Sequence, residues 1–260
     1  GELTEGAFDE SLRHSITKMS HIHFTSSQEH KNRVIQLGED PSYVFNVGAP
    51  GIEIIKKMKL LTKQEVEENL EIQLRDKFYL ITFHPETLET KASPEDQIEN
   101  LLQVLDEITD ASFIFTKANA DPGGLAINER IREFVEKNTS RSSLYSSLGQ
   151  LNYLSLMKYC DAVIGNSSSG IIEAPVLNRR VINIGNRQKG RSGSKTIIHC
   201  KNEKKSLISA LNKLDSFDID KQYDLQDGGN TSEQILNIIR DIDPKNILQK
   251  KFNNMEFPNV

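Results

Sequence analysis

Residues 161–173 read Asp161-Ala162-Val163-Ile164-Gly165-Asn166-Ser167-Ser168-Ser169-Gly170-Ile171-Ile172-Glu173. The run Asp161–Gly165 has the length and apolar content of a strand buried on both faces. A short polar turn follows, and a helix is expected to begin at Ser168 or Ser169, with Glu173 about one turn inside it. Strand, tight turn and helix in succession form the repeating piece of a parallel sheet.

The same pattern extends in both directions. His21–Thr25, Tyr43–Val47, Phe78–Phe83, Ser112–Thr116 and Val181–Gly185 are further strand candidates, several rich in Ile, Val, Phe and Tyr. Amphipathic stretches lie between them. Asp9–Ser20 places Leu12, Ile16 and Met19 on one face. Pro94–Ile108 does the same with Ile98, Leu101, Leu102 and Leu105, behind a Ser93 N-cap and a proline at the first helical position. Gly124–Asn138, Leu151–Cys160, Lys204–Leu214 and Ser232–Ile242 complete the set. The fold class is α/β, a parallel sheet with helices on both sides.

Composition narrows the function classes. With 37% apolar and 27% charged residues, the 260-residue chain is ordinary globular material. A net charge of −5 lacks the basic excess of a nucleic-acid binder. No apolar run approaches the about 18 residues of a membrane helix, so no membrane partner is expected. Cys160 and Cys200 form no CxxC pair, and two buried thiols in a reducing, cytoplasmic setting are expected. His21 and His23 share one face of a short strand without a third ligand at suitable spacing, so no metal site is expected.

Ligands of an open parallel sheet bind beyond the carboxyl ends of its strands. Hydroxyls and backbone N–H groups where the Ser168 helix begins make a site for phosphate, and Glu173 reaches a ribose diol from the same side. The ordinary alternative there is a serine N-cap. In His84-Pro85-Glu86-Thr87, Pro85 disfavours helical backbone at His84 and stands the imidazole at the sheet edge. Protonated, that ring neutralises a diphosphate or assists its departure; the ordinary alternative is a hydrogen-bonded structural histidine. The loop Ala118–Gly124 brings Asn119 and Asp121 to the same edge. Gly185-Asn186-Arg187-Gln188-Lys189-Gly190-Arg191 offers Arg187 and Arg191 for bidentate pairing with phosphate oxygens, and Gly190 and Gly193 suggest a mobile or closely approached loop. Near the start, Glu2, Glu5, Asp9, Glu10, Arg13 and His14 lie close together. Carboxylates crowded in a cleft exchange protons, whereas an acidic helix start is otherwise simply favoured by the dipole.

Together these segments resemble one family. Gly1-Glu2 followed by Asp9-Glu10-Ser11-Leu12-Arg13-His14-Ser15-Ile16-Thr17-Lys18-Met19-Ser20 is similar to the HGGE…D-x-x-x-R-H-x-I-T-K-x-S stretch of hydrolysing UDP-N-acetylglucosamine 2-epimerases, the enzymes that open sialic-acid synthesis. His84–Thr87, Ile164–Glu173, Val181–Arg191 and Leu248–Phe252 match in order. The resemblance implies the GT-B architecture, two Rossmann-like domains with a sugar nucleotide between them. It implies conversion of UDP-N-acetylglucosamine and water to N-acetylmannosamine and UDP, through elimination to a 2-acetamidoglucal and rehydration, with no external cofactor. It further implies that Ser167 and Ser168 hold the diphosphate, Glu173 the ribose and Arg187 the nucleotide. His84 would stand at the diphosphate or sugar, Glu2 and Asp9 would move protons, and Arg13, His14, Asn119 and Asp121 would join substrate binding.

A complete nucleotide-sugar domain begins that family's chains. The expectation here is therefore an N-terminally truncated form, inactive alone. Residues 1–40 would be the remnant of the first domain, 41–230 a UDP-binding Rossmann-like domain, and 231–260 helices crossing back to the first, with a homo-oligomer formed through it. The rival readings are the same reaction on a UDP-2,4-diacetamido-6-deoxy sugar, a GT-B glycosyltransferase, and a non-catalytic UDP-binding fragment.

Overall fold

The computed structural model describes residues 1–5, 9–88, 92–191, 196–214, 216, 229–243, 245 and 247–254. They form two compact units. One comprises Gly1–Leu3, Phe8–Lys57 and Asp224–Val260, and the other Thr4–Ala7 and Met58–Tyr223. Along the chain the main division between them falls at Lys57–Met58.

The larger unit is a six-stranded, wholly parallel sheet in the order β5-β4-β3-β6-β7-β8. Its strands are β3 (Lys77–Thr82), β4 (Ala111–Thr116), β5 (Ser142–Tyr145), β6 (Ala162–Gly165), β7 (Arg180–Ile184) and β8 (Ile197–Cys200). All six residues of β4 are buried, as befits a strand covered on both faces. Tyr79, Ile81 and Phe83 pack with Phe113 and Phe115 against α5 (Pro94–Asp106), α6 (Gly124–Lys137) and α9 (Lys204–Leu214). Alternation sends Phe78 and Leu80 to the other face, where α4 (Lys63–Leu70), α7 (Gly149–Tyr159) and α8 (Ser168–Val176) lie. Helix α5 starts as its sequence requires: Ser93 and Asp96 form a capping box, with Pro94 at the first position.

Strand order reverses between β3 and β6. The chain runs outward through β3, β4 and β5, then crosses to the other side of β3 for β6, β7 and β8. The loops after β3 and β6 therefore leave the sheet side by side, which is where a ligand crevice opens in such sheets. Gly165 makes their closeness possible. Its φ is +139°, and a Cβ there would sit 1.9 Å from the Thr82 carbonyl oxygen, so no side chain fits.

The smaller unit contains a two-stranded parallel sheet, β1 (His23–Thr25) and β2 (Val44–Asn46), with α1 (Asp9–Met19), α2 (Gln28–Gln36), α3 (Pro50–Lys57) and α10 (Thr231–Asp241). Helix α1 buries no residue, and Leu12, Ile16 and Met19 are exposed. Helix α10 meets α3 through Glu53, whose carboxylate accepts the Ser232 backbone N–H and hydroxyl at 2.8 Å each. His23 is spent on Glu39, its Nε2 lying 2.8 Å from the carboxylate. Among the described residues no cluster of histidine, cysteine or carboxylate side chains is arranged to hold a metal ion, and no helix is long and apolar enough to cross a membrane.

Strands β5 and β8 and helices α2, α3 and α4 go beyond the elements read from sequence. Each is short, at most nine residues. Ser142-Ser143-Leu144-Tyr145 sits at the sheet edge, and α2 buries only Val34.

Candidate functional site

His84 stands just beyond β3, at the point where strand order reverses. Its backbone N–H donates to Asn166 Oδ1 at 2.7 Å and its carbonyl accepts from Asn166 Nδ2 at 2.8 Å. The ring is held from a third loop, where the Asn119 backbone N–H donates to Nδ1 at 3.0 Å. With Nδ1 occupied as an acceptor, the ring proton resides on Nε2. Burial, reinforced by the Arg187 cation, lowers the imidazole pKa to about 4. In the free protein the ring is therefore neutral, a hydrogen-bond donor through Nε2, and the protonated role is not its resting state.

Three other predicted groups of the larger unit, Asn119, Asp121 and Arg187, gather round it. Asn119 Nδ2 donates to Asp121 Oδ2 at 2.7 Å, and Arg187 Nη2 lies 3.7 Å from the same oxygen. Arg187 Nη1 also donates to the Asn166 carbonyl at 3.2 Å. The loop carrying Arg187 begins at Gly185, whose φ of +73° and missing Cβ admit the Glu86 carboxylate; a Cβ there would sit 1.7 Å from Glu86 Oε1. That carboxylate accepts the Asn186 N–H at 3.2 Å. Gly193 lies outside the described residues.

At β6 the sequence expectation divides. Ser167 is the N-cap of α8 and accepts the Ser169 N–H. Ser169 is committed to Tyr153, whose hydroxyl lies 2.6 Å from its Oγ. Ser168 is half-exposed at the first position of the helix, where the dipole and the open N–H groups favour an anion. Glu173 lies one turn in, and burial pushes its carboxyl up. Thr82, Thr116, Gly149, Tyr153, Ser167 and Glu173 line a hollow of about 350 Å³, with a hydroxyl-rich wall suited to a nucleoside. A larger hollow of about 600 Å³ at the ends of β7 and β8 contains none of the predicted site residues.

In the smaller unit the crowd of charges resolves into pairs. Glu2 receives Arg13 Nη1 at 3.0 Å, and Glu10 pairs with His14 Nε2 at 3.0 Å. Asp9 is exposed at the first position of α1, the place the helix dipole favours for an acid, so the structure groups Glu10 rather than Asp9 with the basic side chains. Sequence reasoning passed over Asn166 and Tyr153. The signal at Asn166 was its place between a strand end and an N-cap; Tyr153 left no signal beyond helical periodicity. Burial raises both thiols, the buried Cys160 to about 12 and the partly buried Cys200 to about 11.

Residues 1–240 match the family described as UDP-N-acetylglucosamine 2-epimerase. The chain is 50% identical over 216 residues to a protein of Campylobacter jejuni subsp. jejuni serotype O:2 named GDP/UDP-N,N'-diacetylbacillosamine 2-epimerase (hydrolyzing), covering 83% of this chain and 56% of that protein. It is 42% identical to polysialic acid biosynthesis protein P7 of Escherichia coli, covering 82% of this chain and 54% of that one. It thus spans little more than half the length of these relatives. The crystal structure of UDP-GlcNAc 2-epimerase from Neisseria meningitidis bound to UDP-GlcNAc superposes with a TM-score of 0.71 at 19% identity, over 90% of this chain and 65% of that one. That likeness is one of fold, α/β and GT-B-like. The ordered motifs, the parallel sheet with its polar loops and the matched residues agree, and the chain belongs to the UDP-N-acetylglucosamine 2-epimerase family.

Proposed function

We propose that the protein is a hydrolysing 2-epimerase that converts UDP-N-acetylglucosamine and water to N-acetylmannosamine and UDP. The observation that supports this best is the convergence of His84, Asn119, Asp121, Arg187 and the amino end of α8 where strand order reverses. Arg187, the Ser168 hydroxyl and the start of α8 meet the diphosphate charge, with Ser167 beside them, and Glu173 accepts from the ribose. His84 donates its Nε2–H to an oxygen of the diphosphate or sugar. As the sugar C1–O bond breaks, its electron pair leaves with UDP, and preoriented donors stabilise the charge that grows on the leaving oxygen. A carboxylate takes the C2 proton, giving the 2-acetamidoglucal. Water then adds at C1 and a proton returns to C2 on the opposite face. Glu2 and Asp9 are the proton-transfer groups in this reading, with Arg13 and His14 as substrate-binding groups and Glu10 supporting His14.

A second substrate has a specific observation in its favour. The relative 50% identical over 216 residues is named for a diacetylbacillosamine nucleotide, as a GDP/UDP sugar. The same steps on a nucleoside-diphosphate 2,4-diacetamido-6-deoxy sugar need only different contacts at C4 and C6.

The test is turnover in D2O, on this chain and on the longest form its gene encodes, with both sugars supplied as UDP and GDP derivatives. The expected result is free nucleoside diphosphate and a C2-inverted sugar carrying one deuterium at C2. A product formed only with a sugar acceptor would establish a transferase instead, and UDP binding without turnover in the longest form would establish a binding module.

A further inference from the structure

We infer that Asn166 positions His84 and Arg187 together, so that nucleotide affinity depends on a side chain that itself meets no ligand. The functional half of this rests on the nucleotide reading above; the positioning half stands on geometry alone.

The β3–β6 ladder ends at the Thr82–Gly165 pair. Backbone pairing does not continue, and the Asn166 carbonyl receives Arg187 and Gln188 instead of the His84 N–H. The Asn166 carboxamide takes over, accepting from the His84 N–H at 2.7 Å and donating to the His84 carbonyl at 2.8 Å. It prolongs the pairing by one residue with a side chain in place of a strand. Asn166 is wholly buried, and its own backbone is used as well. Its N–H donates to the Thr82 carbonyl at 3.2 Å. Its carbonyl receives Arg187 Nη1 at 3.2 Å and Gln188 Nε2 at 2.7 Å.

The contacts close a circuit. Asn166 holds the His84 backbone, the Asn119 N–H holds the His84 ring, Asn119 holds Asp121, Asp121 faces Arg187, and Arg187 returns to Asn166. The neutral ring and the guanidinium are both set by one residue that belongs to neither loop. Alanine at 166 leaves the His84 N–H and carbonyl without buried partners, and the β3 loop loses its reference to the β7 loop.

Three measurements on this chain test the inference, with UDP as the probe. Amide hydrogen exchange of the unmodified chain should find the His84 N–H protected to the level of the β3 strand amides, although it lies beyond the strand. Imidazole nitrogen NMR should find His84 in the Nε2–H tautomer, and Asn166→Ala should release it to a mixture that titrates closer to an ordinary histidine. Calorimetry should find Asn166→Ala binding UDP at least tenfold more weakly. A His84 amide exchanging at a free-loop rate would overturn the inference without any variant. So would a folded Asn166→Ala with an unchanged tautomer and UDP affinity, since a merely structural role lowers the melting temperature but leaves the ring where it was. If the unmodified chain fails to bind UDP, the nucleotide reading falls, while exchange and tautomer still decide the positioning.

Discussion

The larger unit is built around one broad apolar cluster, whereas the smaller joins a short apolar core of Val34, Val44, Val47, Ile52 and Ile55 to a buried charge. In residues 58–223, Phe113 and Phe115 are fully buried and pack on Phe134, with ring centroids 6.2 and 5.8 Å away, in one continuous apolar cluster beneath α5, α6 and α9. In the smaller unit the carboxylate of Glu39, 1% exposed, receives Lys18 Nζ at 2.6 Å, Lys250 Nζ at 2.6 Å and His23 Nε2 at 2.8 Å. Burial alone would push that carboxyl up; the hydrogen bonds from Lys18, Lys250 and His23 outweigh it and hold the group below its usual range. Lys250 also donates to the Ser20 carbonyl at 2.6 Å, and the Lys18 ammonium lies 4.8 Å from the Phe252 ring. The carboxyl-terminal segment is thus fastened to this unit by ions and amides, while α1 keeps its apolar stripe exposed. Apolar burial is non-directional and tolerates small shifts; a buried ion cluster fails when one member is lost.

Removing one core ring should have the largest effect. Phe115→Ala is expected to cost about 3–5 kcal/mol, read as lost exchange protection across β3, β4 and α6, with protection around Glu39 unchanged. Glu39→Gln should do the reverse. Taking the charge from under two ammonium groups is expected to cost about 3 kcal/mol, confined to residues near Lys18, His23 and Lys250, and loss of protection spreading equally through the sheet would erase the contrast between the units.

Acid sharpens it further. Unfolded His84 takes up a proton near pH 6.5, whereas the folded ring stays neutral down to about 4. Its stabilising share is therefore complete above 6.5 and is lost as the pH falls toward 4, by about 2–3 kcal/mol. Burial lowers His23, His30 and His199 as well, so the difference between the unmodified chain and His84→Gln isolates this residue. Denaturant midpoints at pH 7 and pH 4.5 should fall less for His84→Gln; equal falls would show that the ring is not the buried neutral group described.

The same contrast explains what could be read in advance. Phe78–Phe83, Ser112–Thr116 and Asp161–Gly165 announced strands because burial on both faces leaves a continuous apolar run, and the observed β3, β4 and β6 lie within a residue of them. Ser93 and Pro94 announced the start of α5 because capping is local chemistry. The Glu39 cluster was silent: Lys18, His23, Glu39 and Lys250 span most of the chain, and no periodicity links them. In the site, loop positions were legible from strand ends, yet protonation was not. The place of His84 beyond β3 was legible, but its neutral state in the free protein was not, because burial beside Arg187 is a tertiary fact. Asp9 and Glu10 look alike in sequence, and only the turn of α1 separates the exposed acid from the one that reaches His14.

The central claim is that the loops at the β3–β6 crossing hold a nucleoside diphosphate. It is tested most directly by calorimetric titration of UDP into this chain and into Ser168→Ala, at fixed salt near pH 7. The account predicts saturable one-to-one binding by the unmodified chain. It predicts that the variant loses about 1.5–3 kcal/mol, one hydrogen bond to a charged group. Equal affinity in the two proteins, or no binding by the unmodified chain at millimolar UDP, would contradict it.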